Sequence, residues 1–177
     1  VQLHFIPAMI DDHGRHRLPG HGYTMHACNL RPRSRGTIRL QSANPADKPI
    51  IRANYLSDAQ GLDLATTIEG AKISRAIFAA KPFDAYRGDA ILPDADVRSD
   101  ADLAAYIRRK AETVYHPVGT CRMGNDENAV VDSELRVRGV AGLRVVDASV
   151  MPCLPGGNTN APTIMIAERA ADLISGA

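Results

Sequence analysis

His116 opens the stretch HPVGTCRMG, which runs to Gly124, and its side chain is the one in this sequence best suited to proton transfer. Oxidising an alcohol, for example, requires removing a hydroxyl proton as hydride leaves the carbon. A neutral imidazole titrating near physiological pH can accept that proton. Such assistance is worth about a hundredfold to ten-thousandfold in rate. Pro117, Gly119 and Gly124 would hold the ring on a turn of defined shape. A histidine on a turn can equally serve only as a hydrogen-bond partner for backbone.

A second block, VVDASVMPCLPGGNTNAPT, runs from Val145 to Thr163. Asn158 sits in it just before a predicted helix, and its amide can hydrogen-bond a substrate oxygen while His116 takes the proton. Asn and Thr in that position are also ordinary helix caps. Pro162 suits a first helical turn because it has no donor to leave unpaired. The free amides from Asn160 to Ile164, together with the helix dipole, favour a group that gains negative charge. Asp147 closes an apolar run at Leu143 to Val146; it could accept a hydrogen bond from a ligand hydroxyl, or simply make a turn.

Other candidates are weaker. His13, His16, His21 and His26 lie close together in sequence but lack a Cys or carboxylate pattern of metal-ligand spacing, so no metal site is expected. Gly20-His21-Gly22 begins like a dinucleotide fingerprint, but Met25 occupies the third glycine position. A hydrolase pairing Ser149 with His116 would lack a GxSxG elbow. Cys28, Cys121 and Cys153 form an odd set without CxxC spacing, which suits a reducing, cytoplasmic compartment.

The elements that must position these residues are legible in the patterning. Val1 to Ile6 alternates apolar and polar residues, and Tyr23 to Leu30 and Thr37 to Gln41 read as further short strands. Asp11 to Gly22, rich in glycine and charge, reads as an exposed connection. Leu64, Ile68, Ala71 and Phe78 recur at helical spacing between Ser57 and Lys81, with Ser57 or Asp58 to cap the start and Pro82 to stop it. A second helix begins at Ser99, with Leu103, Tyr106 and Ile107 facing inward, and a last one runs from Pro162 to about Ser175. Lys and Arg number 21 against 20 Asp and Glu, so no broad field draws in nucleic acid. No apolar run is long enough to span a bilayer.

Taken together, the two blocks resemble the C-terminal signature of the glucose/methanol/choline (GMC) family of flavin-dependent alcohol oxidoreductases. LRPRSRGTIRL from Leu30 to Leu40 and the text from Asn44 to Ser57 are similar to the same family's substrate domain. The resemblance implies an α+β fold: an antiparallel sheet backed by helices over residues 1–112 as a substrate-binding domain. Residues 113–177 would then carry the active-site motif, and their strand and helix would complete an FAD-binding α/β domain. It implies FAD as cofactor, His116 as active-site base and Asn158 at the second catalytic position. Asp147, Ala148, Asn160, Ala161, Pro162 and Thr163 fall where the family contacts its flavin. Sugar and aryl-alcohol oxidases commonly carry His where this chain has Asn158, whereas choline-type enzymes carry Asn. The chain thus looks like part of a choline dehydrogenase-like enzyme that oxidises a small primary alcohol to an aldehyde, with hydride passing to flavin N5.

No glycine fingerprint lies in the chain, so the resemblance also implies an N-terminal FAD-binding half elsewhere in the same protein. The piece alone would be inactive. Leu143 to Met151 and the Pro162 to Ile174 helix would then expose apolar surface through which it could form a homodimer. A stand-alone, non-catalytic ligand-binding or interaction module of the same descent is the competing expectation.

Overall fold

A computed structural model describes residues 1–176, the side chain of Arg17 excepted. The chain forms two compact units: Val1–Arg35 with Asn54–Glu112, and Gly36–Ala53 with Thr113–Ala177. The architecture is mixed α and β, with short antiparallel strand pairs and three α-helices among the described residues.

In the first unit, β1 (Gln2–Ile6) ends before a small hairpin of β2 (Ile10–Asp11) and β3 (His16–Arg17), after which β4 (Thr24–Cys28) returns to pair with β1. The β1–β4 pair is antiparallel, with His4 opposite His26 and Leu3 opposite Ala27. Alternation along β1 therefore puts Leu3 and Phe5 on one face and His4 on the other. The expected connection from Asp11 to Gly22 holds more structure than its composition suggests. The Asp11 carboxylate accepts from Lys110 Nζ at 2.7 Å, and His13 Nε2 lies 2.8 Å from Glu112, so side chains tie this segment down.

Helix α1 (Leu62–Phe78) is shorter than the span its pattern predicts. Asp58 does cap it, its carboxylate accepting from the amides of Leu62 at 2.7 Å and Asp63 at 3.2 Å, but from outside the first turn. The C-terminal stop is as predicted, with Pro82 in a 3₁₀ turn at Lys81–Phe83. The most buried positions of α1 are Asp63, Gly70 and Ser74, while Leu64, Ile68, Ala71 and Phe78 are half-buried. Rings fasten the end of the helix: Phe78 lies 4.8 Å from Tyr23 and 5.3 Å from Phe83, centroid to centroid. Helix α2 (Asp100–Lys110) starts with a reciprocal capping box between Ser99 and Asp102 and buries Leu103 and Ile107.

In the second unit, β5 (Thr37–Arg39) and β6 (Ile50–Arg52) form an antiparallel hairpin. Its core is Val131, Leu135, Val150, Met151, Ile166 and Ala170, the last two from helix α3 (Asn160–Ser175). The strand expected over Leu143 to Met151 is the main correction. Among the described residues it forms no strand but an isolated bridge between Arg136 and Arg144, with the Val145 amide on the Leu135 carbonyl at 3.1 Å and the Val137 amide on the Leu143 carbonyl at 2.9 Å. Beyond it, Asp147 accepts from the Ser149 amide and turns the chain into a 3₁₀ turn at Ala148–Val150. Val150 and Met151 are consequently buried in the core and not exposed. No helix among the described residues is long and apolar enough to cross a membrane.

Candidate functional site

His116 is half-buried, and the backbone before it is unusual. Tyr115 has φ of 67°, left-handed for a residue with a bulky side chain, a conformation that costs on the order of 1–3 kcal/mol and persists only where its surroundings enforce it. The turn after His116 is joined to the second sequence block by backbone: the Cys121 amide donates to the Ser149 carbonyl at 3.0 Å and the Met123 amide to Val150 at 2.8 Å. Two segments distant in sequence thus form one scaffold.

That scaffold puts His116 beside the start of α3. Nδ1 of His116 lies 3.0 Å from Thr159 Oγ1 and 3.4 Å from the Thr159 amide nitrogen. Thr159 occupies the helix N-cap position, yet its side chain makes no capping hydrogen bond. Asn158, next to it, is exposed and makes no hydrogen bond among the described residues, so it is not a cap either.

The proposed cofactor-contacting residues cluster in the same unit. The amides of Asn160 and Ala161 open α3 without a side-chain cap, Pro162 has no donor, and Thr163 bonds the Thr159 carbonyl through both its amide, at 3.0 Å, and its hydroxyl, at 2.7 Å. An uncapped helix start offers donors to an electron-rich edge of the kind a flavin presents, so this donor set fits that group. Asp147 is exposed; Oδ1 is taken by the Ser149 amide at 2.7 Å, which leaves Oδ2 as the acceptor for a hydroxyl. Ala148 follows it in the same turn.

His4 Nε2 is buried with no hydrogen-bond partner among the described residues, and His26 faces it across the sheet. Burial pushes the His26 imidazole below its ordinary value; the Glu112 charge pulls it up, and His4 and His13 push it down. Among the described residues no group of three or more His, Cys, Asp or Glu side chains is arranged to hold a metal ion. The aromatic recess lined by Phe5, Tyr23, Phe83 and Tyr86 has no His, Cys or carboxylate in its lining.

Two residues beside the site escape sequence reading. Thr159 looks like an ordinary cap, and only the absence of a cap bond reveals its other partner. Tyr115 carries no sequence signal for a positive φ.

Comparison with known proteins gives a consistent picture. Residues 32–167 match the family model described as GMC oxidoreductase. Over 174 residues the chain is 56% identical to an alcohol dehydrogenase [acceptor] of Pseudomonas putida, which covers 98% of this chain and 31% of the relative. It is 45% identical to the mitochondrial choline dehydrogenase of Mus musculus, covering 99% of this chain and 30% of that protein. Among solved structures, an FAD-dependent oxidoreductase from Chaetomium thermophilum matches with a TM-score of 0.78 at 31% identity, over 89% of this chain and 27% of that one. The chain therefore spans under a third of the length of each.

Proposed function

Because this chain belongs to the GMC oxidoreductase family, we propose that it is the C-terminal part of an FAD-dependent alcohol dehydrogenase or oxidase, and that His116 and Asn158 act on a primary alcohol. The observation that carries this reading is the placement of His116 against Thr159, immediately beside an Asn158 that neither caps the helix nor makes a hydrogen bond among the described residues.

In this reading FAD, bound in the complete enzyme, supplies the hydride acceptor at flavin N5. The chain's own residues do the rest. Asn158 donates its amide to the substrate oxygen and fixes the alcohol. Nε2 of His116, on the side of the ring away from Thr159, takes the hydroxyl proton. The amides at Asn160 and Ala161, with the helix dipole, would hold the electron-rich edge of the cofactor, Asp147 Oδ2 would be available to one of its hydroxyls, and Ala148, Pro162 and Thr163 would line the same site.

Residues 1–112 then act as the substrate-binding domain, and residues 113–177 return to the FAD-binding domain. Ile164 and Met165 stand exposed on the first two turns of α3, apolar surface that the N-terminal FAD-binding half would cover. Similarity to both an alcohol dehydrogenase [acceptor] and a choline dehydrogenase supports an alcohol substrate, and Asn158 favours a choline-like one. The three unpaired cysteines support a reducing, cytoplasmic setting.

The test is His116→Ala in the complete enzyme, with alcohol-dependent flavin reduction followed by stopped flow. A fall of about a hundredfold to ten-thousandfold is expected. Unchanged reduction kinetics would remove His116 from the reaction, and a panel of primary alcohols on the parent enzyme would then fix the substrate class.

A further inference from the structure

We propose that Thr159 is a positioning residue that fixes the tautomer of His116, an inference resting on the role assigned to His116 above. Thr159 is buried, at 7% exposure, so its hydroxyl needs a partner within the protein. A threonine at the N-cap ordinarily turns its oxygen toward the second or third amide of its helix. Here the backbone of Thr159 is already helical, with φ of −89° and ψ of −7°, and no side-chain cap bond forms. The hydroxyl instead meets His116 Nδ1 at 3.0 Å. Thr163 holds the Thr159 carbonyl from the next turn through two hydrogen bonds, so Thr159 is anchored from the helix side as well.

The chemistry follows from the two ring nitrogens. A neutral imidazole carries one proton, and the nitrogen without it is the base. When Nδ1–H donates to Thr159 Oγ1, Nε2 keeps its lone pair for the substrate hydroxyl. Once Nε2 has taken the proton, the imidazolium retains the same Nδ1–H donation, so the ring does not have to turn during the reaction. The Thr159 main-chain N–H lies 3.4 Å from Nδ1 and by itself would favour the opposite tautomer. That contact is the longer of the two, and an amide cannot accept a proton donor, whereas a hydroxyl can. Of the two groups at Nδ1, the hydroxyl is the one able to accept its proton and so to leave Nε2 as the base.

The experiment compares Thr159→Val, Thr159→Ala and Thr159→Ser in the complete, flavin-loaded enzyme. Valine keeps the shape and removes the hydroxyl; alanine gives a second hydroxyl-free variant should valine fail to fold; serine restores the hydroxyl. Loss of one such hydrogen bond should lower the flavin-reduction rate at saturating alcohol by about tenfold, with KM little changed. The acid limb of the pH profile should move to lower pH, because the imidazolium loses its acceptor. Serine should recover most of both. Nitrogen-15 spectra of labelled histidine in the complete enzyme provide a readout separate from turnover: His116 should carry its proton on Nδ1 in the parent and the serine variant, and redistribute it toward Nε2 in the hydroxyl-free variants. An unmoved pH profile and tautomer in both hydroxyl-free variants, with His116→Ala still slow, would overturn the role of Thr159 alone. A fast His116→Ala would instead sink the assignment of the base.

Discussion

The Asp63 carboxylate accepts from the Ser34 amide at 2.8 Å, linking the first turn of α1 to a loop far from it in sequence. The Arg33 amide, at 2.8 Å, and the Asn29 side-chain amide, at 3.2 Å, reach the same carboxylate. Burial alone would push the Asp63 carboxyl up, but the hydrogen bonds from Ser34, Arg33 and Asn29 outweigh it and hold it below its ordinary value. A carboxylate depressed on folding contributes stability that is fully present above the unfolded value and lost as pH falls through the folded one. Asp63→Ala leaves the Arg33 amide and the half-buried Ser34 amide without their partner and should cost about 1–3 kcal/mol, read by denaturant unfolding at neutral pH. The difference between parent and variant should shrink as the acid range is entered. A constant difference down to strong acid would show that the loss is one of packing.

Gly70 and Ala27 set the distance between α1 and the β1–β4 pair. A methyl group on Gly70 would fall 2.8 Å from Ala27 Cβ and 3.3 Å from Val1 Cγ1. Two effects compete in Gly70→Ala: alanine improves helix propensity by about 0.8–1.0 kcal/mol, and overpacking costs about 1–3 kcal/mol. The clash is with strand atoms that have little room to give, so overpacking should win. A lower denaturant midpoint without a change in slope is the expected result, and an increase would mean that the strand pair yields readily.

What could be read from the sequence divides along physical lines. Local signals are reliable where one chemical group decides the outcome: Ser99 caps α2, Leu103 and Ile107 turn inward, and Pro82 lies just past the end of α1. The buried row of α1 could not be read from hydrophobicity, because Asp63, Gly70 and Ser74 are buried for their hydrogen bonds and small size. Leu143 to Met151 has strand composition, but the side-chain bond at Asp147 turns Ala148–Val150 into a 3₁₀ segment that carries Val150 into the core. His116 and Asn158 are recognisable as motif residues, whereas the His116–Thr159 contact depends on a backbone path that only the folded chain reveals.

The Cys121–Ser149 and Met123–Val150 backbone bonds require the chain to turn sharply after His116, and Gly119 makes that turn with φ of 91°. An added Cβ would meet the Met151 carbonyl at 3.4 Å, an ordinary contact, so the penalty for Gly119→Ala is one of backbone conformation. It should be about 1 kcal/mol or somewhat more. Because the same turn carries His116, flavin reduction in the complete enzyme should slow as well. A variant with lowered stability and unaltered kinetics would show that the turn does not hold the imidazole in place.

Asn158 allows stability and chemistry to be separated. Its side chain is exposed and makes no hydrogen bond among the described residues, so Asn158→Ala should leave the melting temperature within about a degree of the parent, as for surface substitutions away from special features. Its proposed work is done on the substrate oxygen, where loss of a positioned donor should cost about tenfold to a thousandfold in kcat/KM. Asn158→His keeps a donor in a different geometry and should fall between the parent and the alanine variant. If alanine lowers the melting temperature and leaves kcat/KM intact, Asn158 is a structural residue of the α3 start, and orientation of the alcohol must come from elsewhere in the complete enzyme.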